Sequence, residues 1–161
     1  MQADIGGQAF ALQAGAGDAR WWLGALATIK ATGKETGGRY TLVEVLDAEG
    51  SEAPLHVHHR EDEAFWILEG ALTFHVGDQT IKAGPGSFVF GPKDVPHGYH
   101  VDAGPARLLF ILSPAGFEEF IYASSEPAQA LTLPPTGWPL SAEEFEQLGT
   151  LVVQYGCEFV G

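Results

Sequence analysis

Cysteine is nearly absent from this chain: Cys157 is the only one in 161 residues, beside a single methionine. A lone thiol closes no internal disulfide, so the fold rests on its apolar core, and a reducing compartment suits it. Basic residues are also scarce, eight Lys and Arg against 21 Asp and Glu, for a formal net charge of −13. The eight are scattered singly, so no basic patch forms, and a surface this acidic repels phosphate backbones and anionic lipid. Nucleic-acid and membrane partners are therefore not expected. Long apolar runs are missing as well, and the amino-terminal MQADIGGQAF has no basic segment followed by an apolar one, the mark of a secretory leader. A cytoplasmic protein is the expectation. No repeat in the solenoid range and no extended low-complexity segment occurs.

What is present points to β structure. Hydrophobic residues make up 45% of the chain, and 21 glycines and 10 prolines are spread along it, dividing it into short elements joined by turns. The length suits one domain with a real core. Residues 8–14 and 21–30 read as an opening hairpin about a Gly-Ala-Gly-Asp turn at 15–18. Arg39–Asp47 alternates, and short strand candidates follow at 54–58, 63–69, 71–76, 79–83, 87–90, 97–101 and 106–112, each closed by Gly, Pro or Gly-Asp. Such spacing predicts an all-β sandwich or barrel. After Ser113 the pattern turns helical. Phe117, Phe120 and Ile121 have helical spacing, and a Pro-punctuated connector runs over 124–139. Ser141 and Glu144 form a capping box ahead of a helix with Phe145, Leu148, Val152 and Tyr155 on one face, stopped at Gly156. The division is a β-barrel over 1–113 and a helical tail over 114–161 that packs on the barrel or on a partner subunit. A homodimer is expected, because the opening hairpin and the last helix offer more apolar edge than one small barrel needs.

The chemistry concentrates in APLHVHHREDEAFWILEG, residues 53–70. Alternate side chains of a strand share a face, so His56 and His58 project together with Cα atoms roughly 6.5 to 7 Å apart. His59 has the opposite parity and points away. Glu63 heads an otherwise apolar strand face, where a carboxylate is costly to bury without a cation. Downstream, the stiff turn of Pro92, Asp94 and Pro96 leads into His97, a further ligand candidate on another strand. Three imidazoles and one carboxylate suit one divalent transition-metal ion per chain, Mn, Fe, Co, Ni, Cu or Zn, with positions left open for water or substrate.

The spacing Gly50, five residues, His56-x-His58, four residues, Glu63, six residues, Gly70 resembles the first cupin motif. Gly86, five residues, Pro92-x-Asp94, two residues, His97 resembles the second. Asp94 stands where that family usually has Gly, and Val101 where it often has Asn; neither change removes a ligand. The motifs cover 50–70 and 86–101. The resemblance implies a double-stranded β-helix (jelly-roll) barrel with the metal in its bore, held by His56, His58, Glu63 and His97. WWLGALATIK, TGGRYTLVEV, FVFGPKDVPHGYHV and YGCEFVG extend the likeness to single-domain cupins described as quercetin 2,3-dioxygenase-like. That likeness implies a small-molecule enol or phenol as substrate, with Glu63 both ligand and catalytic proton acceptor ahead of O2 insertion.

Phe65, Ile67 and Tyr99 each follow a ligand by two or four positions on the same strand face and are read as the substrate pocket. His59, His75 and His100 are read as surface or supporting residues, Glu61-Asp62 as a solvated turn, and Asp94 as a cap of its turn. The leading functional reading is a mononuclear dioxygenase. A non-redox metal cupin, isomerase or decarboxylase, is the second, and a non-catalytic small-molecule-binding module the third.

Overall fold

Strand β3 (Thr41–Asp47) shows the period-two burial that organises the molecule: Thr41, Val43, Val45 and Asp47 are buried, and the residues between them are half-buried. The computed structural model describes residues 7–136 and 139–161. The reading of a leader-free amino terminus falls largely on residues 1–6, and two residues of the connector on 137 and 138, outside the described residues. Before β3 come β1 (Asp18–Trp22), β2 (Ala25–Ala31) and a single-turn helix α1 (Gly33–Thr36). After it come β4 (Glu52–His58), β5 (Asp62–Val76), β6 (Gln79–Ala83), β7 (Phe88–Gly91), β8 (His97–Ser113), α2 (Glu118–Ala123), β9 (Ser125–Pro127), α3 (Ala142–Val153) and β10 (Cys157–Phe159).

The strands form an antiparallel jelly-roll barrel. One path runs β10-β4-β8-β3-β2-β1-β9, and β5 joins it through β8 while also pairing with β6 and β7. β8 is the spine: its first half pairs with β4 and the end of β5, its second half with β3 and the start of β5. The bore is filled by Val43, Val45, Phe65, Ile67, Phe74, Val101, Leu108 and Leu112, all buried. Among the described residues no helix is long and apolar enough to cross a membrane.

Four sequence expectations need correction. Residues 8–14 form no strand; the hairpin lies one step later, between β1 and β2, and turns at Leu23 and Gly24, whose φ values are +51° and +83°. Two successive positive φ values fit the tight hairpin turn that matches strand twist, so Leu-Gly is the turn and WWLGALATIK is two strands. Strand candidates 63–69 and 71–76 are one strand, as are 97–101 and 106–112, because the glycines between them mark irregularities of register and not ends. At Gly70, φ is +88° and a Cβ would stand 2.8 Å from the Ala106 backbone, so two strands meet there at a distance only glycine allows. Finally, α1, β9 and β10 are three- or four-residue elements that carry no periodicity of their own.

The C-terminal part follows its sequence signals. α3 has the Ser141–Glu144 capping box with both reciprocal bonds, and buries Leu148 and Val152. Its apolar face therefore lies on its own barrel. The α3–β10 segment is tied down where β10 pairs with β4, setting Cys157 opposite His58 and Phe159 opposite His56. α2 is anchored by Glu118, which accepts hydrogen bonds from Gly33 N, Thr41 Oγ1 and Gly116 N.

Candidate metal centre

His56, His58, Glu63 and His97 come together in the bore, one ligand atom from each lying within 4.8 Å of all the others. β4 presents the two alternate histidines, β5 the carboxylate and β8 the last imidazole, with His97 directly opposite His56 across the β4–β8 pair. Gly91, the partner of Glu63 on β7, leaves room for the His97 ring: a Cβ there would lie 3.0 Å from Cγ and Nδ1 of His97. The Phe117 ring stands edge-on to His58, with ring centres 4.6 Å apart.

Each imidazole is oriented from behind. His56 Nδ1 donates to Pro54 O at 2.7 Å and His97 Nδ1 to Val95 O at 3.0 Å, since a carbonyl oxygen can only accept. His58 Nδ1 meets Glu61 Oε1 at 2.7 Å, both side chains being buried. With the Nδ1 protons committed in this way, the Nε2 atoms carry lone pairs and face Glu63 Oε2 at 2.9 Å (His58), 3.0 Å (His97) and 3.6 Å (His56). Lone pairs pointed at a carboxylate repel unless a proton or a cation lies among them. His58 Nε2 is buried and makes no hydrogen bond of proper geometry. Burial alone would lower the His58 pKa, but the Glu63 charge, with Glu61 behind the ring, raises it to about 9. Burial works against the Glu63 charge too, and His58 with the other two imidazoles holds its pKa well below the ordinary value. His56, where burial dominates, is lowered. The cluster thus demands positive charge at its centre, and its donor set suits a divalent metal ion.

A cavity of about 80 Å³ opens beside the cluster. Phe65 and Tyr99 line it, with His56, His58 and Glu63; Ile67, fully buried on the same strand face, and His97 do not. The remaining walls are mostly apolar: Trp22 from β1, Phe110 from β8, Phe117 and Phe120 at α2, Phe145, Leu148 and Val152 from α3, and Phe159 from β10. His59 lies outside the cluster, bonded to Asp94 Oδ1 at 2.7 Å and Glu158 Oε1 at 3.0 Å, while His75 is exposed and His100 pairs with Asp102. Asp94 has φ +66°, the left-handed backbone that glycine adopts freely.

Two site residues escape a sequence reading. Glu61 is not solvated turn but the buried support of His58; its position three residues beyond His58 is the only signal, and it needs the turn geometry to be meaningful. Asp47 lines the cavity and accepts a hydrogen bond from the Tyr99 hydroxyl at 2.9 Å. It ends a strand that looks like ordinary core alternation.

Comparison with known proteins agrees with this architecture. Residues 42–112 match the family model described as Cupin domain. Quercetin 2,3-dioxygenase of Bacillus subtilis (strain 168) is 29% identical over 125 residues, 78% of this chain and 37% of that protein. The chain spans about a third to a half of the curated relatives it matches. Among solved structures, the polyketide cyclase RemF from Streptomyces resistomycificus superposes with a TM-score of 0.58 at 18% identity, over 86% of this chain and 92% of that one. An RmlC-like cupin from Shewanella frigidimarina NCIMB 400 gives 0.54 at 22% identity, over 60% and 82%. These two likenesses concern the fold alone.

Proposed function

Because the chain belongs to the cupin superfamily, we propose that it is a mononuclear metal-dependent dioxygenase acting on a small enol or phenol, similar in mechanism to quercetin cleavage. In this reading His56, His58, Glu63 and His97 hold one divalent ion, which when bound lowers the pKa of an enol hydroxyl brought to it. Glu63 takes the proton of that hydroxyl, because the imidazoles have their Nδ1 protons committed to Pro54, Glu61 and Val95. The Phe65, Phe110 and Tyr99 rings hold a planar substrate against the ligand cluster. Leu148, Val152 and Phe159 of the C-terminal segment keep bulk water from it. The observation that carries the proposal is an aromatic-walled cavity opening at His56, His58 and Glu63, three of the four members of the oriented ligand cluster.

The test is spectroscopic. Anaerobic addition of a flavonol to metal-loaded protein is expected to move its absorption to longer wavelength, and admitting O2 to bleach it with O2 consumption. A shift without bleaching favours a binding module or a non-redox cupin, and no shift with any enol overturns the reading. We further propose that the protein is a homodimer, joined through the outer face of β5 and β7. Trp66, Leu68, Phe88 and Phe90 are exposed there.

A further inference from the structure

The cavity has a second polar station that the coordination chemistry leaves unused. Asp47, at the end of β3, is only 5% exposed and lines the same space as His56, His58 and Glu63. The Tyr99 hydroxyl donates to its Oδ2 at 2.9 Å. The Phe65 ring neighbours both this pair and the metal ligands, its centre 6.0 Å from that of His97 and 6.3 Å from that of Tyr99. Phe110 and Phe74 flank Tyr99 on its other sides. Apart from the metal ligands, Glu52 at the rim and Trp22, whose indole N–H is committed to Ser124 Oγ, Asp47 and Tyr99 are the hydrogen-bonding side chains on an otherwise apolar wall.

A carboxylate in such surroundings is costly unless well supplied with donors. The Tyr99 phenol, the Ser51 hydroxyl and the Ala48 backbone N–H all favour its charged form, yet burial outweighs them and pushes the Asp47 pKa up. A carboxylate buried on the wall of the cavity that His56, His58 and Glu63 also line is placed to meet a ligand's own donor.

We infer that Asp47, held by Tyr99, is a substrate anchor that accepts a hydrogen bond from a second hydroxyl of the substrate, on the same cavity wall as Phe65 and apart from the metal ligands. The inference rests on the enol-binding reading above and specifies its substrate class: planar enols or phenols with a further hydroxyl remote from the metal-binding one. A site built to bond a hydroxyl discriminates strongly against the analogue that lacks it, because its own polar group is left unpaired. Asp47 is thus a specificity residue and not a further ligand.

The test compares 3-hydroxyflavone with a set of its derivatives carrying one additional hydroxyl each, binding to metal-loaded protein under anaerobic conditions by fluorescence quenching. At least one derivative is expected to bind about tenfold more tightly than the parent. Asp47→Asn and Tyr99→Phe are each expected to shrink that preference to about twofold or less, with metal content by elemental analysis at the wild-type level. Tyr99→Phe removes one oxygen and serves if the Asp47 variant fails to fold. If no derivative is preferred, or if both folded variants keep the preference, the anchor is overturned while flavonol bleaching by O2 still supports the proposed activity. If no flavonol binds to the metal-loaded protein, both readings fall together.

Discussion

At the scale of single residues, the centre depends on groups that never reach its middle. Glu61 fixes the His58 ring by accepting a hydrogen bond from its Nδ1–H, in a place where both side chains are buried. Outer partners of this kind typically govern metal affinity by roughly 10- to 100-fold. Glu61→Ala is therefore expected to weaken metal binding by about that factor, measured by competition with a chelator, while the circular dichroism of the barrel is retained. Wild-type affinity in this variant would remove Glu61 from the site. Gly91 acts by its size. A methyl group there would press on the His97 ring, so Gly91→Ala is expected to cost roughly 1–3 kcal/mol of stability, as overpacking does, and to lower metal content with it. Thermal unfolding and elemental analysis read the two effects separately; if neither changes, the close approach of β7 to His97 is not a constraint.

At the scale of elements, the docking of α2 rests on one carboxylate. Glu118 joins α2 to the start of β3 and to Gly33 at α1 through two hydrogen bonds, and accepts a third from Gly116 N just ahead of its own helix. Burial alone would raise its pKa, but the donors at Gly33, Thr41 and Gly116 outweigh burial and hold it below the ordinary 4.5. A carboxylate lowered on folding contributes its full stabilisation above its unfolded pKa and loses it as pH falls through the folded one. The stability difference between wild type and Glu118→Gln is thus expected to be largest near neutral pH and to narrow below about pH 4.5. Denaturant titrations at several pH values check it; a constant difference would refute it. This anchor is invisible in the sequence, since Glu118 and Thr41 lie far apart and neither stands in a motif. By contrast, β3, β4, β6 and β7 are legible as alternation closed by turn residues, and α3 from its capping box and apolar face. Alternation cannot tell an end from a bulge, so Gly70 and the Asp102–Pro105 stretch look like termini although β5 and β8 run through them. Strands as short as β9 and β10 exist only through their partners. The ligand cluster is legible because spacing within a strand fixes which side chains share a face. Glu61 and Asp47 are not, because their roles arise from a turn folding back and from two distant strands meeting.

At the scale of the whole molecule, charge and apolar surface pull against each other. A net charge of −13 drives copies apart, and only an uncharged face lets two of them approach without stacking like charge. The outer face of β5, β7 and the second half of β8 is such a face. Trp66 stands opposite Phe88 on one side and Leu109 on the other, and Ala64 likewise joins Phe90 to Ile111. No charged side chain interrupts this set, while Arg107 with Glu44 and Glu69 supplies both signs nearby. The last helix, whose apolar face is already used on its own barrel, is not available for the same purpose. A second copy meeting this face about a two-fold axis would bury aromatic against aromatic, the composition typical of interface centres. Light scattering at micromolar concentration is expected to give a dimer that tightens as salt screens the net charge. Phe88→Lys or Trp66→Lys, each at an exposed position where folding stability should change by about 0.5 kcal/mol or less, is expected to yield a monomer with its metal site intact. A wild-type monomer at high salt would show instead that this face stays in water, and the association proposed for the molecule would be wrong.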